Sequence, residues 1–587
     1  MKEIIQQYLY IALQKACIDY PAETPIPIEY SRSPIYGEFS SSIALSLATS
    51  THQKPEALAQ IIVDHLKNAS PSYLEIFKKI VIVKPGFINF FIQPKAWLQT
   101  LADIVNAGNQ YGHAKQKAKE TILIEFVSSN PTGPLHIGHG RAASHGDIVA
   151  RLLKTQGYQV HTEYYINDAG RQIDILSCSL WLRYLEILGE QFVFPSNAYQ
   201  GQYIYDLAQE LKTIYGNQWH YASSELQDLL GFDAAKNLNP EKSMDALIKQ
   251  TKNLLGSFHY QTLKTFALEK ILEDIRSDLN EFEVKFDRWF SENTLIEDGS
   301  LSKTIALLIK KGHTYQLDGT LWFRSTSFGD DKDRVLLRAN GEPTYFAVDA
   351  AYRFNIFQQR KFNKIINFLG ADHHGYLTRI HAVIEALGYS KNKLVFNTLQ
   401  LVSLYQGHKK LPLSTRSGDF ITLRALRNEV GHDAARLFFV LRKSSQMIDF
   451  DMTLAKSHSH QNPVYYLQYA YARICSVIRQ LKAKGFTWEL QAGLKCLEAL
   501  RTEELLVIKQ LARYPYSITQ ASDQCEPYLL VQYLRDLAKD FHAYYDRTPI
   551  LVEDQTIRNA RLTLIHAIQS VLKNGFDILG IQALEVL

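Results

Sequence analysis

Three segments of the sequence group residue types that could do chemistry, and the first suits phosphate. His136-Ile137-Gly138-His139 sits inside SSNPTGPLHIGHGRAA, where the apolar run ILIEFV (122–127) gives way to a helical pattern reaching about Gln156. A helix starting at a strand end presents unpaired N–H groups and the positive end of its dipole, which favour anions. Two imidazoles three residues apart can address one anion from that turn, and Gly138 lets a flat ring approach the backbone. The arrangement suits a polyphosphate passing through a five-coordinate phosphorus; two surface histidines beside a tight turn have the same pattern. The second place is Ala371-Asp372-His373-His374-Gly375, which follows another apolar run, IINFLG (365–370). Open α/β sheets bind ligands outside such strand ends. A third segment, HKKLPLSTRSGDF (408–420), carries Lys409, Lys410 and Arg416 with Ser414, Thr415 and Ser417. It reads either as a basic loop that follows charge onto a leaving pyrophosphate or as a solvated loop. Glu125 lies on the first apolar run, and Tyr345 and Asp349 share a face if 343–352 is helical. Carboxylates bind a guanidinium through paired hydrogen bonds and a ring stacks on it; ordinary polar residues at strand edges and in the core fit the same positions.

Two rivals start from the same residues. Gly138-His139-Gly140-Arg141-Ala142-Ala143, with Glu163 about 20 residues on, imitates a dinucleotide fingerprint. That fingerprint needs a short crossing, and Asn130-Pro131-Thr132-Gly133-Pro134 makes this one long. His136, His139, Asp372, His373 and His374 could instead hold a metal, as in a hydrolase, but the spacing of a bridging carboxylate is not evident.

These residues need a frame to hold them. ILIEFV followed by a helix, and IINFLG followed by a helix at about 376–387, are two βα units of a parallel sheet, with another strand at 160–166. Residues 171–283 read as a helical insertion, with Leu268, Ile271, Leu272, Ile275 and Leu279 as its apolar stripe. Sheet-like segments return at 320–350. Before residue 110 the chain reads as a small α/β unit, with helices at 2–17 and 54–67 and strands at 80–83 and 87–92 hinged on Lys84-Pro85-Gly86; 107–120 reads as a linker. From about 455 long helical patterns dominate. The expected domains are 1–110, 111–420 with an insertion at about 171–320, a connecting helical segment 421–455, and an all-α domain 456–587.

Composition bounds the rest. Hydrophobic residues make up 46% and charged residues 21%, as in ordinary globular chains, which excludes a disordered, collagen-like or coiled-coil chain. Lys plus Arg is 64 against 60 Asp plus Glu, so net charge alone does not argue for nucleic acid. The five cysteines form no CxxC pair, which fits a reducing compartment. The first residues read as an amphipathic helix and not a signal peptide, and no stretch approaches the run of about 18 apolar residues that spans a membrane. The expectation is a cytoplasmic enzyme with no membrane association.

Taken together the motifs resemble the arginyl-tRNA synthetases, a class I family. EFVSSNPTGPLHIGHGR (125–141), EYYINDAGRQ (163–172), FDRWFSE (286–292), DGTLWFRSTSFGDDKDRVLLR (318–338), PTYFAVDAAY (343–352), GADHHGY (370–376), STRSG (414–418) and NPVYYLQYAYARI (462–474) carry the resemblance in order. YGEFSSSIALSLA (36–48) and PGFINFF (85–91) resemble that family's added N-terminal domain. The resemblance implies a multidomain α/β plus α fold. Its parts are a Rossmann-like catalytic domain with a helical insertion, an N-terminal α/β domain against the tRNA elbow, and a C-terminal all-α anticodon-binding domain. It implies that arginine attacks the α-phosphate of ATP and that the arginyl group then passes to the terminal adenosine of tRNA(Arg), on the 2′-hydroxyl. Mg²⁺ would be held mainly by phosphate oxygens, so no protein metal site is expected. By motif position, His136 and His139 hold the phosphates, Gly138 lies against adenine with Gly140 nearby, and Ser414 belongs to the nucleotide site. Asn130 binds the substrate α-amino group, Glu125, Tyr345 and Asp349 read the guanidinium, and His373 touches arginine. Tyr465, Tyr469 and Arg473 are candidate tRNA contacts, although most tyrosines of that helix should be core. A monomer is expected.

One motif departs from the family pattern. The basic loop usually reads K-M-S-K-S or K-M-S-T-R, whereas here Pro412 takes the place of the first lysine. The compensating lysine that some members carry before HxGH is Gly133 here. Lys409 or Lys410, with Arg416, would have to supply the charge. Two further readings compete with the ligase: a small-molecule nucleotidyltransferase sharing the HxGH fold, and an RNA-binding relative whose site has decayed.

Overall fold

The computed structural model describes residues 1–21, 24–31, 33–68, 73–116, 118–222, 225, 240–370, 374–407, 409–411 and 421–587. Among these, five parallel strands form the central sheet, in the order Leu394–Leu399, Lys364–Gly370, Thr121–Glu125, Gln159–Ile166, Arg288–Ser291. Ile122, Leu123, Ile124, Ile365 and Ile366 are all buried. Both faces of the sheet are covered, so its strands read as unbroken apolar runs. The middle strand comes first in the chain; later strands add to one side of it and then to the other. The order therefore reverses between Thr121–Glu125 and Lys364–Gly370, which is where an α/β sheet opens a ligand crevice. Those strands run in register, with Asn367 beside Glu125.

Residues 126–136 cross from the strand end to the helix Ile137–Thr155. That helix packs so closely on the crossing that a Cβ at Gly146 would lie 2.2 Å from the Phe126 ring. The insertion contains helices Arg171–Ile187, Gln202–Tyr215 and Pro240–Glu281, the last broken at Gly256 (φ 68°). The range 171–320 is not one insertion, because Arg288–Ser291 within it returns to the central sheet beside Glu163–Ile166. The segment 320–350 is only partly sheet. Strands Thr314–Leu317, Thr320–Phe323 and Arg334–Leu337 pair antiparallel, but Tyr345–Phe354 is a helix. Thr344 caps that helix by accepting from the Ala347 N–H at 3.3 Å, and the alanine-rich stretch then favours helix over strand.

The N-terminal unit is a four-stranded antiparallel sheet, in the order Ile28–Tyr30, Phe39–Ser41, Phe87–Ile92, Phe77–Val83, with helices Lys2–Lys15 and Pro55–Lys67. The stretch expected to be a linker is docked: Ala114 and Ala118 N–H groups donate to the carbonyls of Thr155 and Gly157. The C-terminal unit is helical, with Pro463–Ala483, Thr502–Leu511, Tyr514–Asp523, Pro527–Arg547 and Gln555–Leu579. It meets the N-terminal unit through Lys509–Glu38 at 2.6 Å. The connecting segment 421–455 is not wholly helical, since Ile448–Asp451 is a strand parallel to Val402–Gln406. Among the described residues, no helix is long and apolar enough to cross a membrane.

Candidate active site at the switch point

A cavity of about 740 Å³ opens where the sheet order reverses. The turn that follows Thr121–Glu125 forms one wall. Val127 and Ser128 both take left-handed backbone conformations, at φ 65° and 39°. A β-branched residue adopts that conformation only when its surroundings enforce it. The turn is held by Tyr165 N–H donating to Ser128 Oγ at 3.1 Å and by a 2.8 Å contact between the Ser129 and Tyr164 hydroxyls.

His136 and His139 lie at the N-terminus of Ile137–Thr155, with ring centroids 3.7 Å apart and planes inclined by 17°. His136 Nδ1 accepts from the Gly138 N–H at 3.1 Å, and His139 Nδ1 accepts from the His136 N–H at 3.3 Å. Each ring therefore carries its proton on Nε2. Burial lowers the pKa of His136 and drives that of His139 well below the usual value, helped by the neighbouring ring. Both imidazoles are neutral donors at pH 7. Gly138 is exposed at the cavity, whereas Gly140 is buried and a Cβ there would strike Leu423 and Phe439. Arg141 is also buried, donating to the carbonyls of Gln400 and Lys443 at 2.6 and 2.9 Å. That ties the HxGH helix to Gln400, another cavity-wall residue.

The opposite end of the cavity is acidic. Glu125, at the strand end, accepts from Asn367 Nδ2 at 2.6 Å and lies 3.6 Å from Arg353 Nη1. Burial raises its pKa, and Arg353 opposes that rise. Asp349 faces the same space; burial pushes its carboxyl up to about 6, against a hydrogen bond from Tyr376 and the charge of Arg353. Glu292 accepts from the Tyr165 hydroxyl at 2.7 Å, and burial lifts it to about 7. Tyr345 stands at the rim, 62% exposed, its hydroxyl close over Gly170. Asn130, also at the cavity, donates to Gln172 at 2.9 Å. The structure thus brings His136, Gly138, His139, Glu125, Asn130, Tyr345 and Asp349 to one cavity, and leaves Gly140 behind its wall.

Four expected residues or segments lie outside the described residues: His373, Ser414, Arg416 and the position of Pro412. The flanks of the basic stretch are described. Lys409 and Lys410 form an exposed two-residue strand against Tyr405–Gln406, away from the cavity lining. The returning end, Ile421–Thr422, reaches the cavity, where Thr422 pairs with His136. In the C-terminal unit Tyr465 and Tyr469 stack at 5.8 Å, and the Arg473 guanidinium lies 4.7 Å over Tyr469. Tyr471 instead packs on Phe576, as a core residue does.

Glu163, the acid of the dinucleotide imitation, is buried and clasped by both Arg360 Nη groups and the Tyr352 hydroxyl. It has no face left for a ribose. Sequence reasoning missed Glu292, Arg353, Asn367 and Tyr376. Arg353 had a signal in its place four residues after Asp349, and Glu292 and Tyr376 each close a quoted motif. Asn367 became legible only through the strand register.

Comparison with known proteins agrees along the whole chain. The family described as arginyl tRNA synthetase N terminal domain matches residues 3–92. The family described as tRNA synthetases class I (R), catalytic domain, matches 100–451, and the DALR anticodon binding domain matches 467–587. The arginine–tRNA ligase of Legionella pneumophila (strain Paris) is 46% identical over all of this chain and 99% of that protein. The arginine–tRNA ligase of Coxiella burnetii (strain RSA 331) is 43% identical over the full length of both. The solved Thermus thermophilus arginyl-tRNA synthetase covers both chains fully with a TM-score of 0.75 at 21% identity, a likeness of fold.

Proposed function

The chain belongs to the arginyl-tRNA synthetase family, and from that premise we propose how its own residues perform the ligation. It is a class I arginine–tRNA ligase that uses ATP. One observation supports the residue roles: a pair of neutral, stacked imidazoles and a set of buried carboxylates open onto the same cavity.

The nucleotide phosphates take the imidazole end. His136 and His139 donate from Nε2 to phosphate oxygens, beside the positive end of Ile137–Thr155. Adenine lies against Gly138. Arginine takes the acidic end, with Glu125 and Asp349 pairing its guanidinium, Tyr345 covering it and Asn130 holding its α-amino group. Glu292 adds a third carboxylate. His373 completes the arginine site and Ser414 the nucleotide site. The substrate carboxylate oxygen forms a bond to the α-phosphorus as the bond to pyrophosphate breaks. The 2′-hydroxyl of the terminal adenosine of tRNA(Arg) then attacks the arginyl carbonyl and AMP leaves. Positioning and charge stabilisation supply the acceleration. Lys410 and Arg416 follow the charge onto pyrophosphate. Imidazole nitrogens suit a hard cation poorly, so Mg²⁺ would be held on the phosphate oxygens of ATP, where it would offset their charge.

The N-terminal unit, to about residue 110, meets the tRNA elbow. The helical unit from about 456 binds the anticodon region, with Tyr465 and Tyr469 stacking on bases and Arg473 beside them. The enzyme acts as a cytoplasmic monomer; its five cysteines are all free, as a reducing compartment would keep them. The test is aminoacylation of total tRNA with each amino acid in turn. Charging by arginine alone is expected. Charging by another amino acid, or none by arginine, would overturn the reading.

A further inference from the structure

Arg353 belongs to no motif assigned above, yet it lines the arginine end of the cavity and is only 3% exposed. Its neighbours are the two carboxylates given to the substrate guanidinium. Glu125 lies 3.6 Å from Nη1, and Asp349 is one helical turn earlier on the same helix, Tyr345–Phe354. Among the described residues, Arg353 Nε and Nη1 find no hydrogen-bond partner. A buried guanidinium with unmade bonds is expensive unless a charge opposite it depends on it.

We propose that Arg353 is a positioning residue for arginine recognition, a built-in guanidinium that fixes Glu125 and Asp349 for the substrate's own. The proposal rests on the acidic cavity being the arginine site. Glu125 is faced by Arg353 and Tyr352 from that helix, by Glu163 from Gln159–Ile166 and by Asn367 from Lys364–Gly370. Glu163 is already neutralised by Arg360, so Arg353 is the cation that answers Glu125. Asp349 is faced by Tyr376 and Arg379 from His374–Leu387, by Arg353, and by Glu125; Glu292, near the end of Arg288–Ser291, also faces it. Burial alone drives both carboxyls toward the neutral acid, and an acid that keeps its proton cannot pair a guanidinium. Arg353 opposes burial at both positions. It sits beside the substrate's place and prepares it.

The opposite arrangement makes the opposite prediction. If Arg353 filled the space the substrate must enter, shortening it would open the pocket and tighten arginine binding.

The test is steady-state charging by full-length Arg353→Met and Arg353→Lys between pH 6 and 9, with Asp349→Ala as the control. For Arg353→Met, the arginine KM should rise roughly fivefold at pH 6 and about twofold at pH 7 and match wild type at pH 9, because a carboxyl moved up by about one unit from about 6 loses most of its charge only below its new pKa. The ATP KM should stay within about twofold. Arg353→Lys restores the charge and should return the pH profile toward wild type. An arginine KM that is unchanged or lower in Arg353→Met overturns the proposal, as do Met and Lys variants with the same pH profile, which would make the side chain a filler. If Asp349→Ala also leaves the arginine KM unchanged, the acidic-site reading itself is lost. If Asp349→Ala raises it and Arg353→Met does not, only the role of Arg353 is lost. Melting temperatures of both Arg353 variants separate a folding failure from a binding one, and loss of folding in Met but not Lys leaves the Lys pH profile to decide.

Discussion

Replacing Asp349 with alanine probes the acidic end of the cavity most directly. The carboxylate takes a hydrogen bond from Tyr376 and sits one turn before Arg353. Its removal leaves the substrate guanidinium short of a partner and Tyr376 short of an acceptor. Truncating one member of a buried charged pair costs roughly 2–5 kcal/mol. At about 1.4 kcal/mol per tenfold, that is roughly 30-fold to several-thousand-fold in kcat/KM for arginine. The lower end is expected, because the cavity is open enough for water to replace part of the contact. The assay is ATP–pyrophosphate exchange with tRNA present, titrating arginine at saturating ATP and then the reverse. The arginine KM should carry the loss while the ATP KM barely moves. Asp349→Asn keeps an acceptor for Tyr376 without the charge and should fall between alanine and wild type. Stability should not track activity. The folded carboxyl, near 6, lies above its unfolded value of 3.8, so its ionisation at pH 7 opposes folding. The Asn variant should therefore melt at or above the wild-type temperature while binding arginine worse. Equal losses for arginine and ATP, or an Asn variant with wild-type kinetics, would refute the reasoning.

Other outcomes follow from the same geometry. Glu292, lifted to about 7, binds a proton in the folded protein across a range where the unfolded chain does not. Relative to Glu292→Gln, wild-type stability should fall as pH rises from about 5 to 7 and level off above that, by about 3 kcal/mol at most, in chemical denaturation. Lys410→Ala, alone or with Lys409→Ala, should slow adenylate formation roughly tenfold in rapid-quench experiments, and an unaltered rate would remove both lysines from the mechanism. Gly146→Ala forces a Cβ to within 2.2 Å of the Phe126 ring and should cost about 1–3 kcal/mol in thermal melts; an unshifted melt would mean that the helix is not seated on that turn. Tyr469→Ala should raise the tRNA KM roughly tenfold, the scale of one lost base stack, and leave the arginine KM alone.

Much of the frame could be read before the structure because its signals are local. The runs 122–127 and 365–370 are apolar apart from Glu125 and Asn367, as suits a parallel strand covered on both faces, and each leads into a helix. The site became legible wherever a functional side chain sat inside such a junction, as His136, His139 and Glu125 do. What escaped depended on distant pairing. Arg288–Ser291 is a short strand whose place beside Gln159–Ile166 no periodicity reveals. Asn367 matters because register sets it beside Glu125, and register is a property of two strands. Tyr345–Phe354 holds four aromatic residues and the β-branched Val348, which suggest sheet, until the Thr344 cap and its alanines decide for helix.

The neutrality of the imidazole pair constrains the rest of the mechanism. Nδ1 of each ring is committed to a backbone N–H, and burial holds both rings uncharged. They can orient phosphate oxygens but bring no net charge to a polyanion. The helix end supplies about half a charge. Further cationic charge comes with the nucleotide's own Mg²⁺ and from basic side chains that reach the phosphates as pyrophosphate departs. The segment carrying Lys409, Lys410 and Arg416 returns to the cavity at Ile421, and its next residue, Thr422, is paired with His136 itself. Pro412 stands where the family pattern has a lysine, so in the proposed mechanism that charge falls to Lys410 and Arg416 of the same segment. On that reading the two imidazoles serve as fixed hydrogen-bond donors, and the rate of Lys410→Ala decides whether this segment meets the leaving group's charge.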